Sequence, residues 1–305
     1  MIAPKPLSKG SKIAIVATAR FITESELEYS VQYLRDNGFE PVYDERLFAV
    51  NDQFAGDDDF RANVLQSYLD SPDIDAILCA RGGYGTIRII DKLKFDEFIQ
   101  KPKWIIGYSD VTVLHAKLQS LGFESIHASM PINFHDNTDA ALTSLIDALT
   151  SQDLHYEIKN SPLNIQGEAE AEIVGGNISV LYSMLGSSIF PNTKGKILFL
   201  EDLDEYLYHI DRMMFAFERA GILDGIKGLI VGGLTKMHDN NIPFGKTAEE
   251  IILERVADKG IPVCFNFPAG HIDDNRAIIL GRKIRLSIHN AQCTMYNAQC
   301  IMYNV

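Results

Sequence analysis

The chain has few cysteines, and none has the spacing of a metal or redox motif. Its 305 residues include Cys79, Cys264, Cys293 and Cys300, and no two of them form C-x-x-C. The eight histidines show no H-E-x-x-H and no pairing with cysteine. Such closely spaced ligands are the signature of structural zinc sites, and the chain has none, so we expect no metal site. Cys79 and Cys264 lie in apolar stretches, which indicates buried thiols and a reducing compartment.

Basic residues and long apolar runs are also scarce. Lys and Arg total 28 against 41 Asp and Glu, a formal net charge of −13. So acidic a chain is unlike a nucleic-acid-binding protein, because the phosphate backbone attracts basic surfaces. No apolar run approaches the roughly 20 residues that cross a membrane. The N-terminal stretch has no apolar core of a secretory signal. We therefore expect a cytoplasmic protein with neither a nucleic-acid nor a membrane partner.

Glycine-rich nucleotide motifs are absent or incomplete. The first predicted strand is followed by ATAR (17–20), not by G-x-G-x-x-G. The segment FGKT (244–247) lacks the first glycine of a phosphate-binding loop, because Asn240 stands there. Thr247 with Glu250 is better explained as the capping box of a helix. The sequence therefore gives no support to a nucleotide cofactor.

The first half alternates short apolar strands with amphipathic helices. The predicted strands are 12–19, 39–44, 75–80 and 104–109, and the helices begin at Thr23, 58 and 86. This alternation predicts a parallel, doubly wound sheet. Ligands bind such sheets at the carboxyl ends of the strands. RGGYG (81–85) and GYSD (107–110) both fall at that edge.

Ser109 lies at the tip of a predicted strand–turn–helix within residues 103–118. A serine there exposes its hydroxyl beside the free amides of a helix N-terminus, as nucleophiles of hydrolases do. The segment is G-Y-S-D, however, and not the full G-x-S-x-G. Ser and Asp are also common N-caps, so the pattern alone leaves both interpretations open.

The second half is mixed, and it supplies two further candidate residues. We predict an N-terminal domain at 1–150, a linker at 151–171 and a mixed α+β domain at 172–305, which ends in two strands joined by a tight turn. Glu201 follows the apolar strand ILFL, and His271 follows FPAG. An imidazole is the natural base for a serine hydroxyl at neutral pH. A solvated acid and a turn histidine are the simpler interpretations of these two residues.

Five motifs, taken in order, resemble the LD-carboxypeptidases, a serine peptidase family that also contains microcin-immunity proteins. They are RGGYG-x-x-R (81–88), IGYSDVT (106–112), GGN (175–177), LEDLDE (200–205) and PAGH-x-x-x-N (268–275). The resemblance extends from about residue 10 to 288. It implies an N-terminal flavodoxin-like or amidotransferase-like α/β domain, a C-terminal mixed α+β domain, a site in the interdomain cleft, and a homodimer.

The resemblance also implies roles for individual residues. Ser109 matches the family's nucleophile, His271 its general base, and Glu201 the acid that orients this base. The backbone amides of Gly83 and Asp110 match the oxyanion hole. No metal or cofactor is implied.

Substrate contacts are implied by the same motifs. They fall on Arg81, Gly82, Asn177 and Glu205. We also consider Arg88 as a partner for a substrate carboxylate, although it has Asp91 three residues on. Two segments, ATAR (17–20) and HASM (127–130), depart from the family's usual residues, and both departures concern substrate contacts.

The implied activity is hydrolysis of the amide between an L-centre and a C-terminal D-amino acid. The expected substrate is murein tetrapeptide, which would lose D-alanine during cell-wall recycling. One alternative is an immunity-type peptidase that cleaves an aminoacyl-nucleotide amide, for which the sequence reveals no aromatic platform. Another is an inactive ligand-binding protein on the same fold.

The C-terminus carries a short duplication, NAQCTMY (290–296) followed by NAQCIMY (297–303). Two copies are too few to predict a coiled coil. We assign this repeat no function and expect Cys293 and Cys300 to be exposed and prone to oxidation.

Overall fold

A computed structural model describes residues 1–150, 153–289 and 292–297 of the chain. The strands are β1 (Lys12–Val16), β2 (Glu40–Val42), β3 (Ala76–Cys79), β4 (Trp104–Gly107), β5 (Ser125–His127), β6 (His155–Ile158), β7 (Gly167–Asn177), β8 (Ile197–Leu203), β9 (Gly228–Thr235), β10 (Val263–Cys264), β11 (Ile278–Leu280), β12 (Lys283–His289) and β13 (Gln292–Asn297). The α-helices are α1 (Glu24–Asp36), α2 (Asp58–Leu69), α3 (Thr86–Ile89), α4 (Asp96–Gln100), α5 (Thr112–Ser120), α6 (Asp139–Leu149), α7 (Ile178–Ser183), α8 (Leu207–Arg219) and α9 (Ala248–Glu254). These elements form two sheets.

The first sheet has the strand order β11-β5-β4-β3-β1-β2. All neighbours are parallel except β11 and β5. Its strands are buried on both faces, and β1 is an example: Ile13 and Ile15 face one core with Leu27, whereas Ala14 and Val16 face the other. Two-sided burial explains the continuous apolar runs of these strands. The predicted doubly wound parallel sheet is confirmed.

The second sheet has the order β10-β9-β8-β7-β12-β13-β6. Strands β10 to β7 are parallel, and β7, β12, β13 and β6 pair antiparallel. The predicted mixed domain is therefore confirmed as a fold class. Among the described residues, no helix is both long and apolar enough to cross a membrane.

Both predicted capping boxes are present. Thr23 caps α1 with Glu26 as its partner, and Thr247 caps α9 with Glu250. Each hydroxyl accepts the amide of the third helical residue, and each glutamate accepts the amide of the threonine. These local rules depend only on near neighbours, which is why the sequence revealed them.

The segment predicted as a linker, 151–171, contains regular secondary structure. It contains strand β6, which pairs antiparallel with β13, and the first residues of β7. Tyr156 and Ile158 point inward while their neighbours are exposed. This alternation of only four residues is too short to distinguish a strand from a polar loop by sequence alone.

The two predicted C-terminal strands exist, but they belong to different sheets. Strand β11 joins the first sheet antiparallel to β5, with Ile278 opposite His127. After a turn at Gly281, β12 joins the second sheet beside β7. The chain therefore returns to the N-terminal sheet at its C-terminal end, so a division into 1–150 and 172–305 does not describe the first sheet.

The expectation that Cys293 is exposed is also wrong. Its side chain is buried in β13, and its Sγ lies 2.9 Å from the Sγ of Cys264. The alternation of the strand turns Cys293 and Met295 inward. Cys300 lies outside the described residues.

Candidate active site

Ser109 follows β4 directly and begins a short 3₁₀ helix, Ser109–Val111, that leads into α5. Its φ is +63°, which is unfavourable for a residue with a Cβ. Gly107 permits the sharp turn, because its φ is +154° and a Cβ there would lie 2.9 Å from Val111. Residues held in such an unfavourable backbone conformation are concentrated at functional sites.

Three side chains from distant parts of the sequence form one hydrogen-bonded chain. The Nε2 of His271 lies 3.1 Å from the Oγ of Ser109. The Nδ1 of His271 lies 2.7 Å from the Oε2 of Glu201. Ser109 ends a strand of the first sheet, whereas Glu201 lies on β8 of the second. The structure thus brings together the three residues that the motifs indicate for nucleophile, base and acid.

Glu201, the acid of this hydrogen-bonded triad, is fully buried, and its negative charge lies beside the imidazole of His271. Burial opposes ionisation of Glu201, but the charge and hydrogen bond of His271 outweigh it and hold the pKa of Glu201 below its usual value. Burial would likewise lower the pKa of His271, but the charge and hydrogen bond of Glu201 raise it above its usual value. The pair therefore favours a positively charged imidazole, as a general base requires after it accepts a proton.

Gly270, the residue before His271, packs closely against the side chain of Glu201. Gly270 has a φ of +104°, and a Cβ there would lie 2.8 Å from the Oε2 of Glu201. Only glycine fits this approach, which explains the PAGH motif physically.

The Gly82–Gly83 loop reaches Ser109 from the end of β3. A Cβ at Gly82 would lie 3.0 Å from the Oγ of Ser109. Gly83 has a φ of +110°, and a Cβ there would lie 2.7 Å from the Cδ of Arg20. The buried carboxylate of Asp110 accepts the amide of Thr86 at 2.8 Å, so it ties this loop to the serine turn. Burial raises the pKa of Asp110.

Ser109 and His271 open into a cavity of about 460 Å³ that both halves of the chain line. Arg20 and Arg81 contribute to its lining, as do Asp202, Asp204 and Glu205. The cavity therefore contains both cationic and acidic groups around the serine. Among the residues that the structure describes, no cluster of His, Cys, Asp or Glu has the composition of a metal site.

The predicted substrate contacts all line this cavity, but their side chains already have partners. Arg81 donates to the carbonyl of Phe21 at 3.0 Å. Asn177 caps α7 and donates to the Oδ1 of Asp202 at 2.9 Å. Glu205 pairs with His209 at 2.5 Å. Gly82 exposes its backbone beside Ser109.

Arg88 lies elsewhere. Its guanidinium pairs with Asp58 at 2.8 Å, not with Asp91, and it is not among the residues that line the cavity. The sequence suggested an i,i+3 pair, but the partner comes from the neighbouring helix α2.

Sequence reasoning missed two side chains of the site. The ring of Tyr108 lies 4.8 Å from that of His271, and its hydroxyl donates to the Oδ1 of Asn133 at 2.9 Å. Asp202 is buried beside Glu201, and burial together with the charge of Glu201 raises its pKa to about 7. Tyr108 directly precedes Ser109, and Asp202 directly follows Glu201. This adjacency is the only indication of their role in the sequence.

Family models of two consecutive domains match the chain. Residues 13–128 match the LD-carboxypeptidase N-terminal domain, and residues 170–286 match the LD-carboxypeptidase C-terminal domain. The chain belongs to the LD-carboxypeptidase family. This membership confirms the resemblance drawn from the five motifs, and it makes the protein a carboxypeptidase of the hydrolase class.

Relatives of this LD-carboxypeptidase extend over nearly its whole length. A "Probable murein peptide carboxypeptidase" of Bacillus subtilis is 31% identical over 294 residues, which cover 93% of this chain and 91% of the relative. A "Murein tetrapeptide carboxypeptidase" of Pseudomonas aeruginosa is 26% identical, covering 89% and 91%.

Solved structures share the fold. Muramoyltetrapeptide carboxypeptidase from Oxalobacter formigenes superposes with a TM-score of 0.86 at 25% identity, covering 95% of this chain and 99% of that one. The microcin C7 self-immunity protein MccF, in complex with aspartyl sulfamoyl adenosine, has a TM-score of 0.88 at 22% identity, covering 98% and 99%. The MccF likeness concerns the fold alone.

Proposed function

We propose that this LD-carboxypeptidase is a serine peptidase in which Ser109 is the nucleophile, His271 the general base and Glu201 the acid that orients the base. The observation that carries the proposal is the continuous hydrogen-bonded chain, with 3.1 Å from Ser109 to His271 and 2.7 Å from His271 to Glu201. Triads are recognised by this geometry and by these roles, not by sequence order.

In the proposed mechanism, His271 Nε2 removes the hydroxyl proton as Ser109 Oγ attacks the amide carbonyl. Glu201 stabilises the resulting imidazolium. The amides of Gly83 and Asp110 hold the oxyanion, each donor contributing roughly 3–4 kcal/mol. His271 then protonates the leaving amine, and the amide C–N bond breaks. Water, activated by the same imidazole, hydrolyses the acyl-enzyme and regenerates Ser109.

The substrate that we propose is a murein tetrapeptide, from which the enzyme releases C-terminal D-alanine. Two observations support this substrate: the similarity to the murein peptide carboxypeptidases of B. subtilis and P. aeruginosa, and the charged lining of the cavity. A C-terminal carboxylate requires cationic or N–H-rich surroundings, and Arg20 and Arg81 line the cavity near the serine. Arg81, Gly82, Asn177 and Glu205 remain our proposed substrate contacts.

The test is incubation with murein tetrapeptide and detection of free D-alanine by mass spectrometry, with Ser109→Ala as the matched variant. Release by the wild type alone supports the peptidase and its nucleophile. Equal release by the variant contradicts Ser109 as the nucleophile. No release by either contradicts the substrate.

A second candidate is cleavage of an aminoacyl-nucleotide amide. It is favoured by exposed rings beside the cavity residues Asp204 and Glu205: Tyr206 stacks obliquely on Tyr208 at 5.6 Å and on His238 at 5.4 Å. A nucleobase requires such a platform. Adding an aminoacyl sulfamoyl adenosine to the same assay separates the candidates, and a protein inert toward both substrates would be a binding protein.

We further propose a homodimer, which rests on the family resemblance. We also propose a cytoplasmic location and a domain boundary near residues 150–172, which rest on the sequence patterns described above. Light scattering coupled to gel filtration tests the first. A mass of about 34 kDa at working concentration, that of one 34.1 kDa chain, would contradict it.

A further inference from the structure

The loop that follows β1 places an arginine beside the proposed oxyanion hole. Arg20 ends the ATAR segment (17–20), in which this chain departs from the family's usual residues. It follows β1, whereas Gly83 follows β3 and Ser109 follows β4. These three strands are parallel neighbours, so their carboxyl ends form one edge of the sheet, where ligands of such sheets bind.

Arg20 is held in place by its backbone and by the stem of its side chain. Its amide donates to the carbonyl of Gly82 at 3.5 Å, and its backbone pairs with Phe54 in an isolated antiparallel bridge. The stem crosses Gly83 so closely that a Cβ on this glycine would lie 2.7 Å from both Cγ and Cδ of the arginine. The side chain therefore lines the cavity from the side of the Gly82–Gly83 loop.

The guanidinium of Arg20 has only one, weak partner. Its Nη2 donates to the Oε1 of Gln53 at 3.4 Å, a long hydrogen bond to a neutral and exposed group. It forms no ion pair within the part of the chain that the structure describes. Most of its N–H donors are therefore available to a ligand in the cavity.

The second arginine of the cavity differs in this respect. The Nη1 of Arg81 donates to the carbonyl of Phe21 at 3.0 Å and lies 3.9 Å from the Oε1 of Glu26. Glu26 belongs to the capping box of α1, so Arg81 connects its own loop to that helix. Because the charge of Glu26 already opposes that of Arg81, an incoming anion is attracted more strongly by Arg20.

The opposite wall of the cavity is acidic. Asp202 lies on β8 of the second sheet, and Asp204 and Glu205 follow the end of that strand. These groups repel a carboxylate of the substrate, whereas Arg20 attracts it. The cavity is thus divided by charge, and this division directs an anionic peptide terminus toward the first sheet.

We propose that Arg20 binds the C-terminal carboxylate of the substrate and thereby makes the enzyme select a free peptide terminus. This inference rests on the proposed serine peptidase and its peptide substrate. Carboxylate and guanidinium form paired, charge-assisted hydrogen bonds. The carbon of the terminal carboxylate lies within roughly 4 Å of the carbonyl carbon under attack. It must therefore bind near the oxyanion hole, and the stem of Arg20 lies on Gly83, whose amide we propose for that hole.

The test compares the murein tetrapeptide with the same peptide amidated at its C-terminus, by the kcat/KM for release of D-alanine or D-alaninamide. We expect the wild type to prefer the free acid by roughly 10- to 100-fold, the range for a hydrogen bond to a charged group. Arg20→Gln should lose most of this preference, because it raises KM for the acid far more than for the amide. Arg20→Lys, which keeps the charge but not the planar fork, should recover part of it.

Arg88→Gln is the matched control, because Arg88 is also exposed but pairs with Asp58 outside the cavity. It should keep the preference of the wild type. If Arg20→Gln slows the cleavage of both peptides equally, Arg20 supports the Gly82–Gly83 loop or binds another group, and the proposal is wrong. If Arg81→Gln and not Arg20→Gln removes the preference, the carboxylate binds Arg81, and the proposal is equally wrong.

Binding provides a second readout that does not depend on turnover. Calorimetry with Ser109→Ala, with and without Arg20→Gln, gives the dissociation constants of both peptides, and we expect the second substitution to weaken binding of the acid alone. A wild type that releases both products equally well supports the peptidase and overturns the role of Arg20. A wild type that releases neither product contradicts the proposed function, and calorimetry then decides the role of Arg20. Absence of binding as well contradicts both proposals.

Discussion

Replacing Glu201 by glutamine should almost abolish activity, because it removes the charge that stabilises the imidazolium of His271. The 2.7 Å hydrogen bond puts the two charge centres about 4 Å apart. At an effective dielectric constant near 20, that attraction is about 4 kcal/mol. Its loss in the transition state corresponds to roughly a thousandfold in kcat/KM. A flipped amide would add to the loss, since it would donate to Nδ1 and impose the wrong tautomer.

The assay is the kcat/KM of D-alanine release by Glu201→Gln between pH 5 and 9 (about the range in which His titrates). Glu124→Gln is the control, because Glu124 is also a buried glutamate, paired at 2.6 Å with Arg282 and absent from the lining of the cavity. It should reduce stability and leave kcat/KM within about twofold. Activity of Glu201→Gln above about a tenth of wild type would refute the electrostatic role of Glu201.

Three other perturbations test separate features. Gly82→Ala places a methyl group 3.0 Å from the Oγ of Ser109, so kcat should fall at least about tenfold with little change in melting temperature. An unchanged kcat would mean that the Gly82–Gly83 loop moves to accommodate the methyl group. Because the pKa of His271 is raised and only its neutral form is a base, kcat/KM should fall as the pH drops through a midpoint above about 6.5; a midpoint below this value would contradict the coupling to Glu201. Cys293 should resist iodoacetamide in the folded protein and react after denaturation, as peptide mass spectrometry would reveal; rapid labelling of the native protein would contradict its burial in β13.

The sequence indicated which residues form the site, but it did not indicate how deeply they are buried or what surrounds them. Each of Ser109, Glu201 and His271 follows an apolar stretch of sequence, and the order of the motifs named them together, although the structure places Glu201 within β8. Their distances depend on how two sheets pack, which no local pattern encodes. The burial of Asp202 illustrates the limit: LEDLDE resembles a solvated acidic run, yet Glu201 and Asp202 are both buried and only the later acids reach the surface.

The fold shows the same division between local and long-range information. The caps at Thr23 and Thr247 were predictable, because all their partners lie within three residues. The pairing of β11 with β5 was not predictable in this way, since it joins residues about 150 positions apart. Neither propensity nor periodicity reports such a pairing, and the tight turn at Gly281 gives no sign that the next strand changes sheets.

The relative position of the two halves is itself part of the proposed chemistry, because the nucleophile comes from one sheet and the acid from the other. Glycines allow backbone and side chains to meet at this junction: a Cβ at Gly176 would lie 2.6 Å from the Oγ1 of Thr112, three residues after Ser109. The same Oγ1 accepts the amide of Asn177 at 3.1 Å. Helix α5, which begins at Thr112, is thus fastened to the end of β7, the strand next to Glu201. The GGN motif, whose asparagine we also propose as a substrate contact, therefore has a structural explanation as the joint that keeps Ser109 within reach of His271.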